Sequence, residues 1–170
     1  MTLKLLHFSL LTILFFGCTS RSGFDIQLPE GYVIEPTTDQ YNLLTATKYD
    51  DDQPVGMIEI RYSDDWSFST FSNETYIKEA LANNSHEQTA AMIFDDFKVL
   101  RKEQSYLKGV GDCFSIMYRG DNYSNGVRVV NVVFQFIKND QLYTLIGSAF
   151  PENFSSEHKS FLKAFDTFEL

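Results

Sequence analysis

The chain has 170 residues, 14 Lys and Arg against 23 Asp and Glu, a formal net charge of −9, and 44 % hydrophobic with 15 % aromatic residues. That composition excludes an extended disordered chain, and the length fits one domain with its own core. The acidic balance argues against nucleic acid, whose phosphates require clustered Lys and Arg, and two cysteines, Cys18 and Cys113, exclude a disulfide scaffold.

The N-terminus opens with one basic residue, Lys4, followed by an apolar run from Leu5 to Phe16. A helix that spans a bilayer needs about 20 apolar residues, so this run has the length and flanks of a signal peptide. It ends Phe15-Phe16-Gly17-Cys18, which resembles the lipobox of bacterial lipoproteins: bulky apolar residues, a small residue, then cysteine. The resemblance implies that residues 1–17 are a cleaved signal peptide and that Cys18 becomes the first mature residue, carrying acyl chains such as palmitate. Two or more acyl chains make a stable bilayer anchor. Residues 18–23 then form the lipidated N-terminus and a short tether; Thr19 to Gly23 reach at most about 18 Å when extended. The lipoprotein resemblance implies that Thr19, at the second mature position, would in enterobacteria be permissive for sorting to the outer membrane, so the expected location is the cell envelope, on the outer membrane and facing the periplasm.

Residues 24–170 read as one folded unit. Phe24 to Leu28 alternates apolar and polar residues, the period of a strand. Tyr32 to Glu35 reads as a short strand. Tyr41 to Tyr49 and Val55 to Tyr62 read as strands joined by the polar connection Asp50 to Pro54. Ser63 to Phe71 is a polar loop that holds Trp66, Phe68 and Phe71. Two short consecutive helices, or one helix kinked at Asn83 to Ser85, follow, with Ser85 and Gln88 spaced as a capping box. Phe97 to Leu107 is polar on one side and belongs near a sheet edge. Cys113 to Tyr118, Val127 to Ile137 and Leu142 to Phe150 complete the strands. A final helix is expected after Pro151, with Ser155 or Ser156 as its N-cap and Phe161, Leu162, Phe165 and Phe168 as its apolar stripe. Tight turns imply antiparallel pairing, and the doubly apolar pair Val127 to Ile137 and Leu142 to Phe150 needs cover on both faces. The expected fold is therefore α+β: an α/β/α sandwich with a mostly antiparallel sheet of six to seven strands, a helical pair in mid-chain and a C-terminal helix.

The run Gly109-Val110-Gly111-Asp112-Cys113-Phe114-Ser115-Ile116-Met117-Tyr118-Arg119 leads to Asn125-Gly126-Val127-Arg128-Val129. An aromatic-rich strand and hairpin then reach Ala149-Phe150-Pro151-Glu152-Asn153-Phe154, and the chain closes on Phe165-Asp166-Thr167-Phe168. With the opening Phe24-Asp25-Ile26-Gln27-Leu28-Pro29-Glu30-Gly31-Tyr32, this pattern resembles the PsbP-like superfamily, which includes Ran-binding Mog-type proteins, plant PsbP and many bacterial lipoproteins. The resemblance spans residues 24–170 and implies a fold whose members mostly bind other proteins. Its motifs are structural, so it implies no catalytic residue.

Chemical constellations are sparse. Gly109-Val110-Gly111 lacks the third glycine of a dinucleotide loop, where Phe114 stands, and a strand follows it. Asp121 to Gly126 lacks the ligand pattern of a calcium loop and reads as a hairpin turn. His86 and His158 lie in separate elements and read as surface or cap residues; Cys113 reads as a buried small hydrophobe. Asp50-Asp51-Asp52, Asp64-Asp65 and Asp95-Asp96 read as solvated loop charge. No catalytic residue, metal site or cofactor is expected. The expected function is a non-catalytic, membrane-anchored envelope lipoprotein that binds an unidentified envelope protein, with Trp66, Phe68 and Phe71 as candidate anchors, since Trp is enriched in interface hot spots. A small-ligand or cation-binding lipoprotein is the alternative, and a hydrolase a distant third.

Overall fold

A computed structural model describes residues 23–170; the expected signal peptide, Cys18 and the expected tether up to Ser22 lie outside the described residues. The strands are β1 (Tyr32–Glu35), β2 (Asn42–Asp50), β3 (Gln53–Ser63), β4 (Phe94–Leu107), β5 (Gly111–Asn122), β6 (Arg128–Lys138) and β7 (Gln141–Ala149). The helices are α1 (Asn73–Ala82), α2 (Ser85–Ala91) and α3 (Pro151–Phe165), with a 3-10 helix at Trp66–Thr70. The strands form one antiparallel sheet in the order β1-β2-β3-β7-β6-β5-β4. This is the expected α+β sandwich, with β4 at an edge as its one-sided polarity implied.

The sheet is covered unequally. α3 lies on one face and packs Phe161, Ala164 and Phe165 against Ile58, Ile60, Val132, Phe134 and Leu145. On the other face α1 sets Ile77 and Ala80 against Phe114, Ile116 and Val133. Side chains alternate along a strand, so Val132 and Val133 serve opposite cores. That alternation explains why β6 is apolar on both faces. Phe168 follows α3 rather than belonging to it, yet it is fully buried and stacks on Phe24 at 5.6 Å.

Several local expectations are corrected. Phe24 to Leu28 is not a strand; it makes one antiparallel bridge, Asp25 to Glu169. Its alternation survives as burial, because Phe24 and Ile26 enter the α3-side core. The β2–β3 turn is tighter than the five residues suggest: Asp51 and Asp52 take positive φ (46° and 62°) and Gln53 already pairs with Asp50. Of the two mid-chain readings, two consecutive short helices is the one the structure bears out, but its capping box is not. Ser85 lies inside α2 and does not cap it; Ser72 caps α1, its hydroxyl accepting from the Thr75 N–H at 3.1 Å. α3 begins at Pro151, whose fixed φ suits the first helical position, so Ser155 and Ser156 lie within the helix. The hairpin-turn reading of Asp121 to Gly126 holds in part: Asp121 and Asn122 end β5, and residues 123–127 connect it to its antiparallel neighbour β6, with Gly126 at φ +68°.

Candidate functional site

β3 ends at Ser63 and the chain turns into the 3-10 helix. Asp65 starts that helix: its Oδ1 accepts from the Ser67 N–H at 2.9 Å, which holds its carboxyl below the usual carboxylate range. The Thr70 hydroxyl donates to the Ser67 carbonyl at 2.8 Å, and the Phe71 N–H to the Phe68 carbonyl at 3.2 Å. The polar residues of the loop thus cap one another, and Phe68 and Phe71 are left to meet the helices. The backbone of Trp66 opens this helix, while its side chain lies outside the described residues.

Phe68 and Phe71 are half-buried rather than free. They line a cavity of about 220 Å³ together with Tyr76, Ala80 and His86. Phe68 meets the Tyr76 ring edge-on at 6.4 Å. Tyr76 donates its hydroxyl to Gln135 Oε1 at 2.8 Å, and Gln135 Nε2 donates to Thr144 Oγ1 at 3.1 Å. The Tyr76 oxygen is then left to accept from His86 Nε2 at 3.3 Å. His86 also stacks on the buried Phe114 ring at 4.7 Å. The reading of His86 as a surface or cap residue is therefore corrected: it is a packing residue between α2 and the sheet. Burial pushes its pKa down and pushes the Tyr76 hydroxyl up.

Sequence inspection missed this polar chain, because its members come from α1, α2, β6 and β7. The capping-box spacing pointed at Ser85 and away from its neighbour His86. His158 lies on the other side of the sheet, stacked on Phe154 at 5.2 Å and pushed down by burial and by Arg101. Cys113 belongs to the α3-side core, where burial and Asp112 push its thiol up to about 12. His86 thus sits on the α1 side of the sheet, and His158 and Cys113 on the α3 side. Among the described residues no three His, Cys, Asp or Glu side chains converge where they could hold a metal ion. Asp96 and Asp121 are instead bridged by Arg128 at 2.9 Å and 2.6 Å. Among the described residues no helix is long and apolar enough to cross a membrane.

No protein-family model matches the chain, and no curated protein matches it in sequence. Solved structures match it in fold. It is similar to the cyanobacterial PsbP protein CyanoP of Synechocystis, with TM-score 0.55 and 12 % identity over 91 % of this chain and 90 % of that one. It is also similar to LpqN, which is involved in cell envelope biogenesis of Mycobacterium tuberculosis, with TM-score 0.55 and 10 % identity over 86 % and 82 % of the two chains. A crystal structure from Bacteroides thetaiotaomicron matches with TM-score 0.50 and 11 % identity over 86 % of this chain, which spans only 44 % of that longer one. Identities this low bear on the fold alone, and the fold is PsbP-like.

Proposed function

We propose that this protein is a non-catalytic, lipid-anchored component of the bacterial cell envelope, held at the outer membrane and facing the periplasm, and that its PsbP-like domain binds a protein partner. The observation that carries this reading is the aromatic segment Trp66 to Phe71, mounted as a self-capped 3-10 helix on α1 and the sheet. An aromatic loop held by its own caps is suited to recognition, because ordering it on binding costs less conformational entropy. The lipobox-like Phe15-Phe16-Gly17-Cys18 supports the anchor. LpqN's role in envelope biogenesis agrees with the location.

Cys18→Ala is expected to release the protein from membranes and abolish fatty-acid labelling; continued labelling sinks the anchor. A photo-crosslinking residue at position 66 of the anchored chain is expected to give one dominant protein adduct in living cells. A folded, anchored chain without an adduct shifts the reading to a small ligand, for which the cavity beside Phe68 and His86 is the candidate site. Thermal stabilisation by a ligand panel, lost on filling that cavity with Ala80→Phe, would then identify it.

A further inference from the structure

The sandwich has two poles, set by strand direction. One pole gathers the end of β1, the start of β2, the end of β3, the β6–β7 turn and the residues after α3. The register fixes this grouping: Glu35 pairs with Thr45, Asn42 with Arg61, Ser63 with Leu142, and Lys138 with Gln141. Phe24, near the start of the described residues, lies at the same pole, on Phe168 at 5.6 Å, with Phe168 against Phe136 and Tyr143. The opposite pole carries the Asp50–Gln53 turn, Ala149 and the β5–β6 connection with Tyr123. An eleven-residue strand such as β3 puts the poles about 36 Å apart.

A second feature lies at the Phe24 pole. Asp39, Tyr41, Arg61, Tyr62, Asp64 and Asp65 line an open trough of about 540 Å³. The Tyr41 and Tyr62 rings stand 5.8 Å apart, and Tyr41 is 42 % exposed. Asp39 accepts from the Tyr41 N–H and Asp65 from the Ser67 N–H, so both carboxylates are fixed in place, while Asp64 is exposed. The trough's one cation, Arg61, is engaged by Glu59 at 2.7 Å. Three carboxylates beside an aromatic pair suit a Lys or Arg side chain, by ion pairing and by cation–π contact.

We infer that this trough docks a basic segment of an integral membrane protein lying in the same bilayer as the anchor. The inference rests on the lipid-anchor reading above. Cys18 precedes Gly23 by five residues, which extend to at most about 18 Å, half the distance between the poles. The Phe24 pole is thereby held at the bilayer, and its acidic rim disfavours burial among lipid phosphates. A partner that reaches the trough must therefore present its cations at the membrane surface. A soluble periplasmic protein would have free access only to the Tyr123 pole.

The test places a photo-crosslinking aromatic residue at Tyr41 or at Tyr123 in the full, anchored chain in living cells. Position 41 is expected to give an adduct with an alkali-resistant integral membrane protein, and position 123 none with that protein. Asp64→Lys, which breaks no hydrogen bond of the fold, should lower the position-41 yield by about five-fold or more, as loss of a surface ion pair plus new repulsion requires. Inserting about 20 Gly and Ser residues before Gly23 should lower it several-fold, because effective concentration falls with tether length. A soluble protein or lipid as the only adduct at 41, the same membrane protein captured from 123, or a yield indifferent to Asp64→Lys overturns the inference. Fatty-acid labelling in the same cells separates the two failures. An unlabelled chain removes the anchor and the inference together; a labelled chain with the wrong adduct removes the inference alone.

Discussion

The carboxylate of Glu157 accepts a hydrogen bond from Tyr32 Oη at 2.8 Å, and so ties α3 to the edge strand β1. Lys48 of β2 closes on the other carboxylate oxygen at 2.7 Å. Glu157 is only 4 % exposed, the sole acidic residue in the described core. Gly56 makes room for the cluster, since a Cβ there would stand 2.6 Å from Tyr32 Oη. Removing one partner of a buried pair costs about 3–5 kcal/mol, less here because the Lys48 side chain is about a third exposed. Glu157→Ala is therefore expected to cost about 2–3 kcal/mol in urea unfolding. An unchanged midpoint would mean that water already serves Lys48 and Tyr32. Burial, and then the bond to Glu157, raise the Tyr32 hydroxyl well above its ordinary 10.0. A raised pKa stabilises the fold fully below the unfolded value, so this contribution drains away as pH rises past 10.0, and it should drain less in Glu157→Ala.

Gly147 of β7 gives a sharper test of the α3-side packing. A Cβ there would lie 2.4 Å from Phe161 Cδ2 and 2.5 Å from Cγ, in the middle of a ring that is itself fully buried. The ring cannot retreat without moving α3. Gly147→Ala is expected to cost about 1–3 kcal/mol, the range for overpacked cores. Gly126 is the contrasting case: it sits at φ +68° with nothing within 4 Å of a built Cβ. Asn tolerates that conformation, so Gly126→Asn should leave the urea midpoint nearly unchanged. Equal losses in both variants would refute the packing argument.

What could be read in advance divides along physical lines. The doubly apolar β6 and β7 announce a buried central pair, because period-2 patterning is local. The one-sided polarity of Phe97 to Leu107 announces an edge. The start of α3 escapes the same reading, because Ser155 and Ser156 look like caps while Pro151 needs none. Phe24 to Leu28 has a strand's pattern without a strand's partner, and pattern cannot supply a partner. Glu157 looks like an ordinary surface residue of an amphipathic helix; only the assembled sheet brings Tyr32 and Lys48 to it. Of the candidate anchors, Phe68 and Phe71 are legible as aromatic residues in a polar loop. Their association with Tyr76 and His86 is tertiary and leaves no local trace.

His86 makes the domain sensitive to acid. Desolvation by Phe114 and the surrounding helices lowers its pKa below the ordinary 6.5, with Glu87 opposing and Lys102 assisting. A depressed pKa means that the unfolded chain takes the proton more readily. The neutral ring therefore stabilises the fold above pH 6.5, and that contribution is lost as pH falls through the folded value. His158 is shifted in the same direction on the other face. Melting temperatures measured from pH 7.5 down to pH 5 should fall, and His86→Gln should remove part of the slope while His158→Gln removes the rest of the histidine share. A slope unaffected by His86→Gln would place its ring in solvent.

Cys113 is expected to be chemically silent. It is fully buried on β5, its thiol donates to the Ser105 carbonyl at 3.5 Å, and burial together with Asp112 pushes it up to about 12. The thiolate fraction at pH 8 is then about 10⁻⁴, too small for nucleophilic work even with access. In a chain carrying Cys18→Ser, a thiol reagent at pH 8 should label nothing in the native state and one thiol per chain in urea. The sulfur faces the α3-side core and bonds to Ser105 of β4, so the native labelling rate reports how often β5 parts from that core and from β4. Rapid native labelling would show that the β4 edge separates from β5 under folding conditions, and it would restore Cys113 as a candidate reactive group. Labelling only at the global unfolding rate would instead place the β4–β5 hairpin in the same cooperative unit as the α3-side core.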